Sequence, residues 1–244
     1  MTAPWAGQVV PYTMTSTAGC QPAPLPALTS SEYAEAYDEV KTFGSAGSPA
    51  RSDEQNHLVR FYNDNFITQL NRLARDIADA QQLDTGHRAR LLALVNLAMA
   101  DSFICAWESK RHFAFWRPIT AIREGDNDGN PATAGQTDWT PAVTTPPYPD
   151  YTSGANNVTG AVTRILALYF GDHMTFRATS LSPTLLPGDA TFVEYHKFSD
   201  MAKDVVDVRI WQGIHFRFAD TEARSQGRRV ANHAFKNFLQ PIDR

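Results

Sequence analysis

The chain is poor in cysteine. It has two in 244 residues, Cys20 and Cys105, too few for a disulfide framework to stand in for a hydrophobic core. Cys20 lies in a proline-rich stretch and Cys105 in an apolar helical one, and Cys105 is read as a packed free thiol. Long apolar runs are missing too. The longest, Leu91 to Ala100, contains Asn96 and is followed by Asp101, short of the ~18 to 20 residues of a membrane helix. No membrane association is expected. Excess charge of either sign is absent: 22 Lys+Arg face 26 Asp+Glu for a net charge of -4, and Ala202 to Arg244 carries only eight Lys/Arg against five Asp/Glu. That excludes a phosphate-backbone binder, so no nucleic-acid partner is expected. Met1-Thr2-Ala3-Pro4-Trp5 has neither a basic n-region nor an apolar h-region, so no export signal is read there. The expectation is a soluble protein, exported if a leader was removed and cytoplasmic otherwise.

What is present suits a single core. Hydrophobic residues make up 43% and charged ones 20%, ordinary globular values. Pro4, Pro11, Pro22, Pro24 and Pro26 remove donors and restrict their predecessors, so residues 1–28 form an extended wrapping arm before one domain over 29–244. Thr29-Ser30-Ser31-Glu32 forms a capping-box pattern with Thr29 as N-cap, opening a helix that stops near Gly44. Ser52 and Gln55 repeat that pattern. Leu58, Phe61, Tyr62, Phe66, Leu70, Leu73 and Ile77 recur at helical steps with a break around Asn63-Asp64-Asn65.

Thr85 is read as the cap of a central helix, apolar on more than one face, ending between Lys110 and Phe113. Pro118 opens a short helix, and a long turn-rich loop follows from Gly125 through Pro149; a loop of that length inside a compact domain is usually functional. Helix resumes from Ser153 to Tyr169, Met174 to Ser180 alternates as a short strand, and helices run from Phe198 to Gln212 and from Asp220 to Phe238, with Gly213 as a break. The fold class is all-α, a helical bundle with long loops.

Three groups of residues could carry chemistry. Lys110 and Arg117 are seven apart, almost two turns at ~100° per residue, so continuous helix would put both cations on one face to grip an anion. Taken alone, they also suit snorkelling over Phe113, Phe115 and Trp116. Pro149-Asp150-Tyr151-Thr152-Ser153-Gly154 delivers a hydroxyl and a glycine to the first turn of a helix, whose free N–H groups attract negative charge; read alone, the segment is better explained by ordinary capping through Thr152 or Ser153. Arg209 and His215 flank Gly213, which lets the chain turn so that both converge, with Nε2 of His215 free to ligate or attack. Otherwise His215 is a packed core residue. Together Lys110, Arg117, Arg209, the Ser153 and Gly154 donors and His215 match the needs of a tetrahedral oxyanion.

Lys110-x6-Arg117-Pro118, Thr152-Ser153-Gly154-Ala155 and Arg209-x5-His215 resemble the three-part signature of the vanadium haloperoxidase and type-2 phosphatidic acid phosphatase superfamily. Phe115 to Arg123, Pro146-Pro147-Tyr148-Pro149 and Gly213 to Phe218 are most similar to soluble bacterial haloperoxidase-like proteins. The resemblance implies a helical bundle with an oxyanion site, in which His215 ligates vanadate or attacks phosphorus while Lys110, Arg117, Ser153, Gly154 and Arg209 hold the oxygens. Phosphate would occupy the same place.

Two positions depart from the family pattern. Ala155 stands where the family has a histidine, removing a general acid commonly worth ~10²- to 10⁴-fold in rate. Ala219 stands where many members have an aspartate that orients the motif histidine; Asp220 is read instead as the N-cap of the last helix, leaving a backbone carbonyl to orient His215. Asn156 is the first candidate to replace the missing donor, ahead of Asn157, Asp150, Tyr148, His112 and His173. Trp107, Phe113, Phe115, Trp116 or Tyr148 would form an aromatic wall. The resemblance therefore implies a vanadate-dependent haloperoxidase-like enzyme using hydrogen peroxide, halide and a small-molecule substrate. Phosphoester or diphosphate chemistry through phospho-His215, and a degenerate oxyanion-binding protein, are the alternatives. A homo-oligomer is compatible with each.

Overall fold

The computed structural model describes residues 1–240, so the last four residues of the expected domain lie outside the described residues. Local capping chemistry sets where the helices begin. Ser30 accepts a hydrogen bond from the Tyr33 amide and starts α1, Ser31–Phe43. A full Ser52/Gln55 capping box starts α2, Asp53–Phe61, and Asn65 caps α3, Phe66–Ala80. Asp84 accepts from the His87 amide at 2.8 Å and opens α4, Thr85–Phe113. The caps expected at Thr29 and Thr85 thus fall on Ser30 and Asp84. In each case the capping side chain belongs to the residue that still has extended backbone, immediately before the first helical one. A short α5, Pro118–Arg123, precedes the long loop.

The second half comprises α6, Gly154–Phe170, an antiparallel hairpin of β1, His173–Thr179, with β2, Phe192–Lys197, then α7, Phe198–Trp211, and α8, Arg217–Asn237. Sequence reasoning missed β2. Phe176 and Ala178 of β1 and Tyr195 of β2 are buried against the bundle, so the hairpin turns one alternating face to the core. The last helix begins at Arg217, three residues before the expected N-cap, and Asp220 lies inside its first turn.

Helix α6 runs through the centre, packed on α4, α7 and α8. It meets α8 closely because a Cβ at Gly227 would lie 2.0 Å from the Asn157 carbonyl oxygen and one at Gly160 would lie 2.6 Å from that of Arg224; only glycine permits the approach. Around it, Leu91, Leu94, Val95, Val162, Ile165 and Val205 are wholly buried in the main core, and Tyr33, Tyr37, Ile122, Trp139 and Phe216 form a second one. By length and composition α4 with α5 passes as apolar enough to cross a membrane despite Asn96 and Asp101, but 56% of its apolar window is buried inside the protein, as in a core helix.

Residues 1–28 lie against α4 and α8. Asp101, buried within α4, accepts hydrogen bonds from the amides of Tyr12 and Thr13 and from the Thr13 hydroxyl, and Gln226 of α8 donates to the Cys20 carbonyl at 2.6 Å. Cys20 and Cys105 form a disulfide. The expected free thiol at Cys105 is therefore corrected: the arm's path along α4 brings two cysteines 85 residues apart to a Cα separation of 6.2 Å, within bridging range.

Candidate functional site

Each charged group reaches the site by a break in helix rather than by continuing one. Helix α4 ends at Phe113 with Ala114 in the left-handed region (φ 47°), so Lys110 and Arg117 do not share a helical face as continuous helix would require. The turn instead makes Arg117 the residue before Pro118 of α5 and folds its side chain back. Arg117 Nε donates to the Tyr148 carbonyl at 2.7 Å and Nη1 to the Ile214 carbonyl at 2.6 Å. Lys110 Nζ donates to the carbonyls of Pro149 and Asp150 at 2.6 and 2.8 Å. The Tyr148 ring covers both cations, 5.1 Å from Lys110 Nζ and 4.9 Å from Arg117 Cζ.

On the other side, α7 ends just after Arg209, and Gly213 (φ 76°) turns the chain so that His215 lies between α7 and α8. A Cβ at Gly213 would stand 2.2 Å from the Gly44 carbonyl oxygen. Arg209 Nη1 donates to Gln212, whose own amide is tied to the Val59 carbonyl. Arg209 and His215 then share the wall of one cleft of about 190 Å³ with Gly154, Ala155, Trp107 and Tyr148, and with Phe66 and Phe103 beside them. Phe103 stacks on Trp107 at 3.9 Å between ring centroids. Ser153 caps α6 by accepting from the Asn156 amide, which leaves the first amides of a 17-residue helix without intrahelical partners.

Burial governs the electrostatics. Lys110, Arg117, Arg209 and His215 are each less than 10% exposed, and desolvation pushes all four toward their neutral forms. Lys110 and His215 lie well below their ordinary values, and Arg209 is brought down to about 10. The neighbouring cations add to the shift of the His215 imidazole. Burial raises Asp150 to about 7 against the opposing pull of Arg117 and Lys110, and raises Asp220 to about 8. Three buried cations thus face two carboxylates that both approach neutrality. Among the described residues, Arg117 Nη2 and Arg209 Nε have no hydrogen-bond partner, and neither have the two carboxylate oxygens of Asp150. Such an arrangement attracts an anion with several acceptor oxygens.

Not every expected residue reaches the cleft. Asn156 donates to Asp220 Oδ1 at 2.7 Å beneath the start of α6, so its amide is engaged away from the cleft and does not replace the missing histidine. Asn157 is tied to Thr152 and Gln226. His112 and His173 are exposed and stand outside the cleft wall. Of the aromatic candidates, Trp107 and Tyr148 line the cleft, whereas Phe113 packs on Tyr151 and Phe115 on Phe216, with Trp116 beside it. Asp220 is not a helix cap: it is fully buried and accepts from Asn156. The expected backbone carbonyl is not the nearest acceptor to His215 either, because Asp150 Oδ1 lies 2.6 Å from Nδ1. Sequence reasoning had placed Asp150 only among the candidate acids.

A protein-family model described as the VCPO second helical-bundle domain matches residues 90–244. Vanadium chloroperoxidase of Curvularia inaequalis is 34% identical over 123 residues, 46% of this chain and 19% of that protein. The crystal structure of the first bacterial vanadium-dependent iodoperoxidase superposes with a TM-score of 0.82 at 26% identity, covering 99% of this chain and 59% of that one. A holo-type bacterial vanadium-dependent chloroperoxidase shares the fold, with a TM-score of 0.76 at 17% identity over 96% of this chain and 54% of that one. The chain spans less than two thirds of the length of each of these relatives. Since the family model covers well over half of the chain, including all three groups of charged residues, the protein belongs to the vanadium haloperoxidase superfamily.

Proposed function

We propose that the protein is a vanadate-dependent haloperoxidase-like enzyme that uses hydrogen peroxide to oxidise halide or a small organic substrate. The observation that carries this reading is the meeting of Arg209, His215 and the start of α6 around one cleft, with Lys110 and Arg117 buried behind it. The residues fit a tetraoxo anion. Arg117 Nη2 and Arg209 Nε are unpaired buried donors, and Gly154 leaves a cradle that a Cβ would crowd, 3.1 Å from the Trp107 ring. Nε2 of His215 lies 3.0 Å from Arg117 Nη1. Nδ1 lies 3.4 Å from the same Nη1; a guanidinium only donates, so a ring nitrogen that accepts from it presents the lone pair a ligand atom requires.

Bound vanadate would supply a Lewis-acid centre that activates hydrogen peroxide. The chain's own residues would neutralise the charge on its oxygens through Lys110, Arg117 and Arg209, donate from Gly154, and ligate through His215; the Ser153 amide is already engaged by the Ala219 carbonyl. Trp107, Phe103 and Tyr148 would keep the approach to that centre apolar. Ala155 offers no hydrogen bond there. This favours chemistry that needs no general acid from that position. The same lone pair on His215 supports a second reading, attack on a phosphoester or diphosphate with a good leaving group, and phosphate would compete for the site. If Ala155 abolishes turnover, a degenerate oxyanion-binding protein is left. The disulfide between Cys20 and Cys105 suits an oxidising compartment.

Reconstitution with orthovanadate tests the proposal. It expects close to one vanadium retained per chain and peroxide-dependent halogenation of a chromogenic acceptor. Hydrolysis of an aryl phosphate without halogenation supports the second reading, and anion binding with neither activity the third.

A further inference from the structure

We infer that Asp150 is the positioning residue of His215, supplying from the loop before α6 the carboxylate that position 219 lacks. Resting on the proposed function, this goes further by assigning the group that decides which ring nitrogen faces the anion. Ala219 contributes only its carbonyl, which accepts from the Ser153 amide at 3.3 Å, and the carboxylate of its neighbour Asp220 is turned to Asn156. Asp150 comes from 65 residues upstream of His215 and is held firmly. Its amide donates to the Phe115 carbonyl at 2.9 Å, and its own carbonyl accepts from Lys110. Both side chains are essentially inaccessible, at 0% and 1% exposure.

Asp150 Oδ1 and His215 Nδ1 stand at ion-pair distance, and neither carboxylate oxygen has another hydrogen-bond partner among the described residues. Arg117 Nη1 stands 3.0 Å from Nε2 and 3.4 Å from Nδ1 and so does not choose between them, whereas Asp150 Oδ1 is 2.6 Å from Nδ1 and, as a carboxylate, only accepts, which puts the hydrogen of a neutral imidazole on Nδ1. Arg117 is a poorer partner for the carboxylate, because its Nη1 is 3.8 Å from Oδ1 while bonded at 2.6 Å to the Ile214 carbonyl. The pairing therefore sets the carboxylate behind Nδ1 and assigns the lone pair to Nε2, where a bound anion would compete with Arg117 Nη1 for it. A carboxylate behind a ligating histidine commonly changes ligand affinity by about 10- to 100-fold.

Nitrogen-15 NMR of the anion-free protein, with the His215 signals identified by their loss in His215→Gln, reads the tautomer directly. The expected result is hydrogen on Nδ1 in the unaltered protein and in Asp150→Asn, whose side-chain oxygen still accepts, and a mixture in Asp150→Ala. Orthovanadate affinity should fall about 10- to 100-fold in Asp150→Ala and by much less in Asp150→Asn. Hydrogen on Nε2 in the unaltered protein overturns the inference, as does an Asp150→Ala protein that keeps both tautomer and affinity, or equal losses in both variants. If the unaltered protein binds no orthovanadate, the proposed function fails while the tautomer result still decides the role of Asp150.

Discussion

Arg209→Met separates a cation kept for anion binding from one kept for stability. The guanidinium is buried, and desolvation brings it from 12.5 to about 10. At ~1.4 kcal/mol per unit, its charged form costs folding about 3 kcal/mol. The sign follows from linkage: a base depressed in the folded state carries its full penalty at neutral pH and is relieved only as pH rises through about 10 toward 12.5. Methionine fills much of the same space without charge. It also strips the buried Gln212 oxygen of its Arg209 partner, which costs ~1 to 3 kcal/mol. The anion-free variant should therefore be between unchanged and about 2 kcal/mol more stable in urea titrations. Losing a charge-assisted donor should at the same time weaken oxyanion binding by about 3 kcal/mol, roughly 100-fold, measured by calorimetric titration with orthovanadate. A variant that loses about 3 kcal/mol or more of stability, or that binds the anion unchanged, refutes the reasoning.

Three further outcomes follow. Ala155→His returns the family residue to the cleft wall and should raise orthovanadate-supported halogenation by at least ~10-fold; a fall would mean that the methyl group makes room for substrate. Asp220→Asn removes a carboxylate raised from 3.8 to about 8, whose cost to folding grows as pH rises through that window. Its melting temperature should therefore exceed that of the unaltered protein at pH 8 and match it near pH 4, and a uniform shift would contradict this. Replacing both Cys20 and Cys105 by serine frees a closed segment of 85 residues and should cost about 4.5 kcal/mol in denaturant titrations on loop entropy alone. A cost below about 1 kcal/mol would mean that the arm's hydrogen bonds already hold it.

The helices and the charged residues were legible because they depend on local pattern. Apolar spacing and capping residues locate the starts of α1 to α4 to within a residue, and the residue types and order of Lys110, Arg117, Arg209 and His215 select groups that the fold brings close together. The route by which they meet was less legible. Lys110 and Arg117 converge through the left-handed Ala114 instead of a shared helical face, and alanine carries no turn signal. Pairings between distant segments left no periodic trace. The contact of Asp150 with His215 and the bond between Cys20 and Cys105 both depend on where loops and the arm cross the bundle. Asn156 beside the gap at Ala155 was chosen by adjacency in sequence, but the N-terminal geometry of α6 turns its amide inward to Asp220. The hairpin partner β2 was missed because only Tyr195 of its six residues is fully buried.

A crystal structure of the protein grown with orthovanadate tests the central claim most directly. The account predicts one tetrahedral or five-coordinate oxyanion in the cleft, beside Nε2 of His215 and between Arg209 and the first turn of α6. An anion bound elsewhere, or a His215 ring with Nε2 turned away from a bound anion, would contradict it.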